Sequence, residues 1–206
     1  MTTQSISEKT EHLRAVRDKL LAFTASPLYD YRTKNGYHPV IGEGTHDARI
    51  MFIGEAPGKN EAEQGRPFCG ASGRVLDKLL ASVGISRADV YVTNIVKDRP
   101  PENRDPTPHE ILLYAPFLDR QIDIIQPKVI ATLGRFSMVY ILQRFGIVAD
   151  PISKAHGSVY TAQASYGEVK IIPLYHPATA LYNGSMMSTL EEDFKQLALH
   201  GISKTT

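Results

Sequence analysis

The chain has 206 residues, a formal net charge of +1, 42% hydrophobic and 22% charged residues. These are values of an ordinary soluble globular protein, and the length suits one domain over residues 1–206 that buries its core without staples. The near-neutral balance excludes a strongly basic field, yet leaves room for a local patch facing nucleic acid. One cysteine, Cys69, excludes an intramolecular disulfide and any cluster held by several thiolates, and fits a reducing compartment. No run approaches the ~20 apolar residues of a membrane span. Met1 to Arg14 carries acids and no apolar core, so no secretory signal is expected. The expectation is a cytoplasmic monomer with no membrane partner.

Ser7 to Phe23 reads as a helix capped by Ser7, with Leu13, Val16, Leu20 and Leu21 on one face. Pro27 to His46 reads as loop. Arg49 to Ile53 is a short apolar run ending at Gly54, as a buried strand does. A Gly/Pro-rich loop, Glu55 to Gly70, leads into a helix over Ser72–Val83 closed by Gly84. Val90 to Val96 is the second strand. Prolines 100, 101, 106 and 108 stiffen the next loop. Thr107, Pro108 and Glu110 form a capping box with a first-turn proline, and the helix runs to about Ile125. Lys128 to Leu133 is the third strand, Arg135 to Phe145 a helix, Val169 to Leu174 the fourth strand, and Ser188 to His200 the last helix. Ser203 to Thr206 reads as a short frayed tail.

Strands alternating with helices predict a three-layer α/β/α sandwich around a mostly parallel, four-stranded central sheet. Ligands of such sheets bind beyond the carboxyl ends of the strands. There the chain carries Gly54-Glu55-Ala56-Pro57-Gly58, Thr93-Asn94 and His176-Pro177, so polar side chains from three strand ends converge on one cleft.

Those residues carry a resemblance. Gly54 to Glu61 followed by Gly65-Arg66-Pro67-Phe68-Cys69-Gly70 resembles the first motif of the family 4 uracil-DNA glycosylases. Val92 to Lys97, continuing through Arg99-Pro100-Pro101 and Asn103-Arg104, is similar to their second conserved stretch. Pro127 to Ile130 with Thr132-Leu133-Gly134 resembles a third, and His176-Pro177-Ala178 a fourth. The match covers roughly residues 26–200, in order. Family members usually hold a [4Fe-4S] cluster on four cysteines. The matching positions here are Phe23, Ser26, Asp98 and Tyr114, so no cluster and no metal is expected, with a hydrophobic or hydrogen-bonded plug in its place. After the His-Pro, where members often carry leucine then arginine, this chain reads Thr179-Ala180-Leu181-Tyr182-Asn183.

The resemblance implies excision of uracil from single- or double-stranded DNA, to leave an abasic site. An extruded base must be read on one edge while the departing ring gains negative charge. His176 is then the donor to uracil O2, against the bland reading of a turn residue before Pro177. Asn94 is the reader of N3–H and O4, against a strand-end asparagine bonded to its own backbone. Phe68 is the stacking ring, against a core phenylalanine under a loop. Glu61 is left with two roles, orienting the attacking water or shaping the pocket against a 5-methyl group. Glu55 is a second candidate acid, or a carboxylate that holds the loop. Gly54, Ala56 and Gly58 are small enough to let the backbone approach the base, and Pro57 is counted with them in the uracil-binding loop. Lys59, Lys97, Arg99, Arg104 and Lys154 are candidates for phosphate contact, and Leu181 for wedging into the duplex. No motif lysine is placed for a Schiff base, so the enzyme is monofunctional.

Other readings remain open on sequence grounds. One is a glycosylase for hypoxanthine or xanthine. Another is a non-catalytic relative that binds DNA. A third, an unrelated phosphate-binding α/β protein, conflicts with the missing P-loop lysine-serine pair.

Overall fold

The computed structural model describes residues 4–201. The expected frayed tail, Ser203 to Thr206, lies outside the described residues. In chain order the elements are α1 (Ile6–Leu21), α2 (Tyr29–Lys34), β1 (Glu43–Gly44), β2 (Ile50–Gly54), α3 (Lys59–Gln64), α4 (Ala71–Ser82) and β3 (Tyr91–Asn94). Then follow α5 (Pro108–Ile125), β4 (Val129–Leu133), α6 (Arg135–Arg144), α7 (Ile152–Ala155), β5 (Tyr160–Ala164), β6 (Gly167–Leu174), α8 (Thr179–Tyr182) and α9 (Met186–Gly201).

The sheet order is β1-β3-β2-β4-β6-β5. The four inner strands, β3, β2, β4 and β6, run parallel, while β1 and β5 pair antiparallel at the two edges. The expected four-stranded, mostly parallel sheet is therefore corrected to six strands of mixed direction. Both extra strands escape pattern reading for physical reasons. β1 is two residues long, and at Gly44 a Cβ would fall 1.9 Å from the Val90 carbonyl oxygen. β5 contains Thr161 and Gln163 on its exposed side, so it has no apolar run. It joins β6 by a tight hairpin that pairs Ala164 with Gly167.

The inner strands are buried on both faces, which is why they read as apolar runs. On one face Met51, Ile53, Ile130 and Ile171 pack with Leu13 and Val16 of α1, Leu118 and Ile122 of α5, and Met138 and Ile141 of α6. On the other, Phe52, Val92, Ala131, Ile172 and Leu174 pack with Leu76 and Leu79 of α4 and Leu190, Phe194 and Leu197 of α9. The alternation along β2 alone assigns its side chains to opposite layers. The α5 capping box stands as expected. The cap of α1 is Ser5 rather than Ser7, because Ser5 and Glu8 close a reciprocal box that Ser7 cannot make. Within the expected loop 27–46 lie α2 and β1.

The four positions that match the family's cluster ligands do meet in space. Tyr114 Oη donates to Asp98 Oδ2 at 2.5 Å and lies 2.7 Å from Ser26 Oγ. Arg32 Nη1 donates to both Asp98 oxygens at 3.1 Å. Phe23 packs edge-on against Tyr114 and Phe117. Leu20, Leu28 and Val96 close the shell. Burial pushes the Asp98 carboxyl up, and the Tyr114 hydroxyl and Arg32 pull it back. These side chains offer a cluster no thiolate, and their polar atoms already satisfy one another, so they do not fit one. Among the described residues no group of three or more His, Cys, Asp or Glu could hold a metal ion.

Tyr114→Phe leaves Asp98 short of one buried partner. It should lower unfolding free energy by about 1–3 kcal/mol in a denaturant titration. An unchanged midpoint would show that the hydroxyl holds nothing together. The unsubstituted protein should melt cooperatively and carry no stoichiometric iron by elemental analysis.

Candidate active site

β2 and β3 are neighbours in register, with Gly54 opposite Asn94. The chain leaves β2 toward β3 and leaves β4 toward β6, in opposite directions. This opens a crevice at the carboxyl ends, where α/β sheets bind ligands. A cavity of about 290 Å³ lies there, lined by Glu55, Ala56, Gly58, Glu61, Phe68, Ser72, Asn94, Asn103, His176 and Ala178. Seven of these ten are residues expected from sequence. Gly54 lies directly beneath. A Cβ on it would come within 2.3 Å of Asn94 Oδ1 and 2.8 Å of Phe68 Cζ, so only glycine leaves both side chains in place.

Asn94 is 2% exposed, and its Oδ1 has no hydrogen-bond partner. A buried acceptor left empty costs about 1–3 kcal/mol, which a ligand donor recovers. Its backbone is held from behind. Lys97 Nζ donates to the Asn94 carbonyl and Thr93 Oγ1 at 2.7 Å and to Gln121 Oε1 at 2.6 Å. Lys97 is therefore corrected from a phosphate contact to a fully buried brace. Burial pulls its pKa well below the usual 10.5.

His176 follows β6. Its Nδ1 accepts the Ala178 backbone N–H at 3.1 Å, which leaves the proton on Nε2 as a free donor. Burial lowers the His176 pKa to about 4, against a smaller opposing pull from Glu61, so the ring is neutral near pH 7. Phe68 stacks on it at 5.6 Å between centroids and 28° between planes. Phe68 has φ +49°, a left-handed conformation that is costly for a large side chain. Gly73 of α4 makes room, since a Cβ there would strike the Phe68 carbonyl oxygen at 1.8 Å.

Glu61 Oε1 accepts the Gly70 N–H at 2.8 Å, with Cys69 Sγ at 3.8 Å. Its Oε2 lies where a Cβ on Gly58 would reach 2.7 Å. The carboxylate thus spans the loop and faces the cavity. Burial raises the Glu55 pKa from 4.5 to about 7, with the Asp105 charge adding to it and Arg135 opposing.

The other expected contacts separate by environment. Lys59 is exposed on α3, near Glu63 at 3.7 Å. Arg104 is engaged by Glu110 at 2.6 Å. Arg99 Nε donates to Asn103 Oδ1 at 2.7 Å, and its Nη1 to Tyr37 Oη at 2.8 Å. Lys154 lies on α7, away from the cavity lining. Leu181 sits on α8, just past His176, 48% exposed beside a 90% exposed Tyr182. Pro57 is buried within the first motif loop. Sequence reasoning missed Ser72, Asn103 and Ala178 as lining residues. Asn103 and Ala178 stand in the second and fourth motifs without a site role read for them; the backbone turn at Asn103 brings it to the lining, and Ala178 acts through its N–H rather than its side chain.

Comparison with known proteins agrees with this geometry. Residues 41–200 match the family described as the uracil DNA glycosylase superfamily. The chain is 44% identical over 188 residues to the type-4 uracil-DNA glycosylase of Sulfurisphaera tokodaii, covering 91% of this chain and 84% of that one. It is 44% identical over 167 residues to the type-4 enzyme of Archaeoglobus fulgidus (81% and 83% covered), and 38% over 196 residues to that of Thermotoga maritima (95% and 94%). The chain belongs to the uracil-DNA glycosylase superfamily. Within it, these relatives are of type 4.

The Glu55 shift predicts a pH effect with a definite sign. A carboxyl whose pKa is higher folded than unfolded binds its proton more tightly when folded. Its contribution to stability is full below the unfolded value of 4.5 and declines as pH rises through about 7. Glu55→Gln should therefore raise Tm relative to the unsubstituted protein at about pH 8 and match it at about pH 4. Parallel melting curves across that range would contradict the assignment. Gly54→Ala, which drives a methyl into Asn94 and Phe68, should abolish ligand binding even in any fraction that still folds.

Proposed function

We propose that the chain hydrolyses the N-glycosidic bond of deoxyuridine in DNA, releasing uracil and leaving an abasic site. The observation that carries this reading is the buried, unpartnered Asn94 Oδ1 at the cavity floor, close to a neutral His176 whose Nε2–H is free. Uracil N3–H is the donor that Oδ1 lacks, and O4 suits the amide Nδ2. Cytosine places an acceptor at N3 and a donor at position 4, so against a fixed amide it leaves both groups opposed.

The base leaves the stack and enters the cavity against Phe68. As the glycosidic bond stretches, charge accumulates on the uracil, and His176 Nε2 donates to O2. The bond needs no proton transfer from His176, because the imidazole is a donor already in place. Glu61, fixed by the Gly70 N–H, orients water toward the sugar as it gains oxocarbenium character. Lys97, the lysine of the second motif, is committed to Thr93, Asn94 and Gln121, which supports the monofunctional reading.

On this reading the chain works as a monomer on single- or double-stranded DNA. Lys59, Arg99, Arg104 and Lys154 contribute to the phosphate field, and Leu181 fills the space vacated by the base. Among the described residues no helix is long and apolar enough to cross a membrane.

The test is an oligonucleotide with one uracil, single-stranded or opposite guanine or adenine, treated with alkali to reveal abasic sites. The unsubstituted chain should cleave. His176→Ala should lower kcat by ~10²–10³ with little change in KM. With His176 neutral down to about pH 4, the rate should show no acidic limb from this residue near neutrality. Absence of cleavage on every uracil substrate would overturn the proposal.

A further inference from the structure

We propose that His156 is a positioning residue for His176, holding the segment that carries it through the Tyr175 ring at one end and Asp193 of α9 at the other. The inference rests on the glycosylase reading for its effect on rate. It adds to that reading a residue outside the cavity lining.

Residues 175–185 leave the sheet at the end of β6, bear His176 and Leu181, and return to the fold at α9. The two ends of this segment meet at one imidazole. His156 follows α7, and its Nδ1 lies 2.8 Å from Asp193 Oδ2. A carboxylate only accepts, so Nδ1 carries the proton and donates it. The centroid of the same ring lies 4.6 Å from that of Tyr175, with 36° between planes, within range of an aromatic contact. Tyr175 is the residue before His176, so its place fixes the main chain from which the His176 imidazole projects.

Gly157 has φ +71°, and a Cβ on it would come within 2.4 Å of Asp193 Oδ1. Only glycine lets the chain after α7 pass this close to α9. The Gly157 N–H donates to the Pro173 carbonyl at 2.9 Å, and the Gly134 N–H to that of Leu174 at 2.9 Å. The end of β6 is thus pinned from two sides as far as Leu174, and His156 takes over at Tyr175. Asp193 shares the buried face of α9 with Leu190, Phe194 and Leu197, and is 6% exposed. Burial pushes its carboxyl up, and His156 pulls it back. An apolar residue there would join the core without desolvating a charge, so stability alone does not explain the pair.

His176 needs such support because what it supplies is direction. A donor already in place works only where it is aimed, and a misplacement of ~1 Å can cost ~10² in rate. Ala178, which bonds its Nδ1, belongs to the same segment and cannot fix it from outside. Phe68 covers a face of the ring and leaves its in-plane direction open.

The experiment compares the unsubstituted chain, His156→Ala, Tyr175→Leu and Asp193→Asn on a uracil oligonucleotide under single-turnover conditions, below the melting temperature of each. His156→Ala and Tyr175→Leu remove the contact from opposite sides, so one remains if the other fails to fold. Each should lower the maximal rate roughly tenfold or more, while half-saturation by DNA stays within about twofold. Asp193→Asn keeps an acceptor for the His156 Nδ1–H and should keep the rate. In a His176→Ala background either substitution should cost nothing more, because it acts through the residue already removed. Amide hydrogen exchange without DNA is the second readout: His156→Ala should speed exchange at Ala178 and leave the amides of β3 as they were. The proposal fails if the losses multiply in the His176→Ala background or if the rate is unchanged. It fails too if half-saturation moves in place of the rate, which would tie the contact to Leu181. If the unsubstituted chain excises no uracil, the glycosylase reading itself fails, and unchanged exchange at Ala178 would then overturn the positioning role on its own.

Discussion

The close approach of Gly54 to Asn94 is the constraint on which the site depends. Parallel pairing of β2 and β3 places the two residues side by side at the strand ends, and the absent side chain of one makes room for the amide of the other. Phe68 comes in over the same gap and can do so only because Gly73 also lacks a side chain. Two glycines from different elements thus shape one cavity floor. The cost is a left-handed phenylalanine and an unsatisfied amide oxygen, and the oxygen is satisfied only when a group with a hydrogen-bond donor enters.

Low polarity does the rest. The same burial that suppresses protonation of His176 keeps the Glu55 carboxyl protonated to about pH 7. The cavity therefore carries less charge than its list of residues suggests. On the proposed reading a neutral donor faces the leaving group, and charge that develops on the substrate has little competition within the pocket. Lys97 shows the opposite use of burial. Its amino group is surrounded by oxygen atoms and serves the strand end, with no access to DNA.

What could be read from the residues follows the strength of the local signal. Buried parallel strands are continuous apolar runs, and Thr107-Pro108-Glu110 is a helix start that needs no tertiary context, so the inner sheet and α5 were legible. The edges were not. A two-residue strand has no period, and β5 keeps one face in water. Most of the cavity lining was legible because the motifs place it at strand ends. Lys97 was misread because a lysine in a motif looks the same whether its stem runs outward or inward; only the acceptors from β3, α5 and Ile41 decide it. Asn103 stood in the second motif, but its place in the lining depends on backbone angles that an asparagine in a proline-rich loop does not reveal.

The knot of Arg32, Asp98, Tyr114 and Ser26 has a consequence beyond its contribution to rigidity. It ties α2 and the loop after α1 to the segment after β3 and to α5, using only atoms encoded in the chain. Such a junction is complete as soon as synthesis ends. It waits for no delivery of inorganic sulfide, has no redox couple to lose electrons to peroxide, and cannot be dismantled by a chelator. Repair of deaminated DNA would then continue in an iron-starved or oxidatively stressed cell, where a cluster-dependent relative would be short of its part.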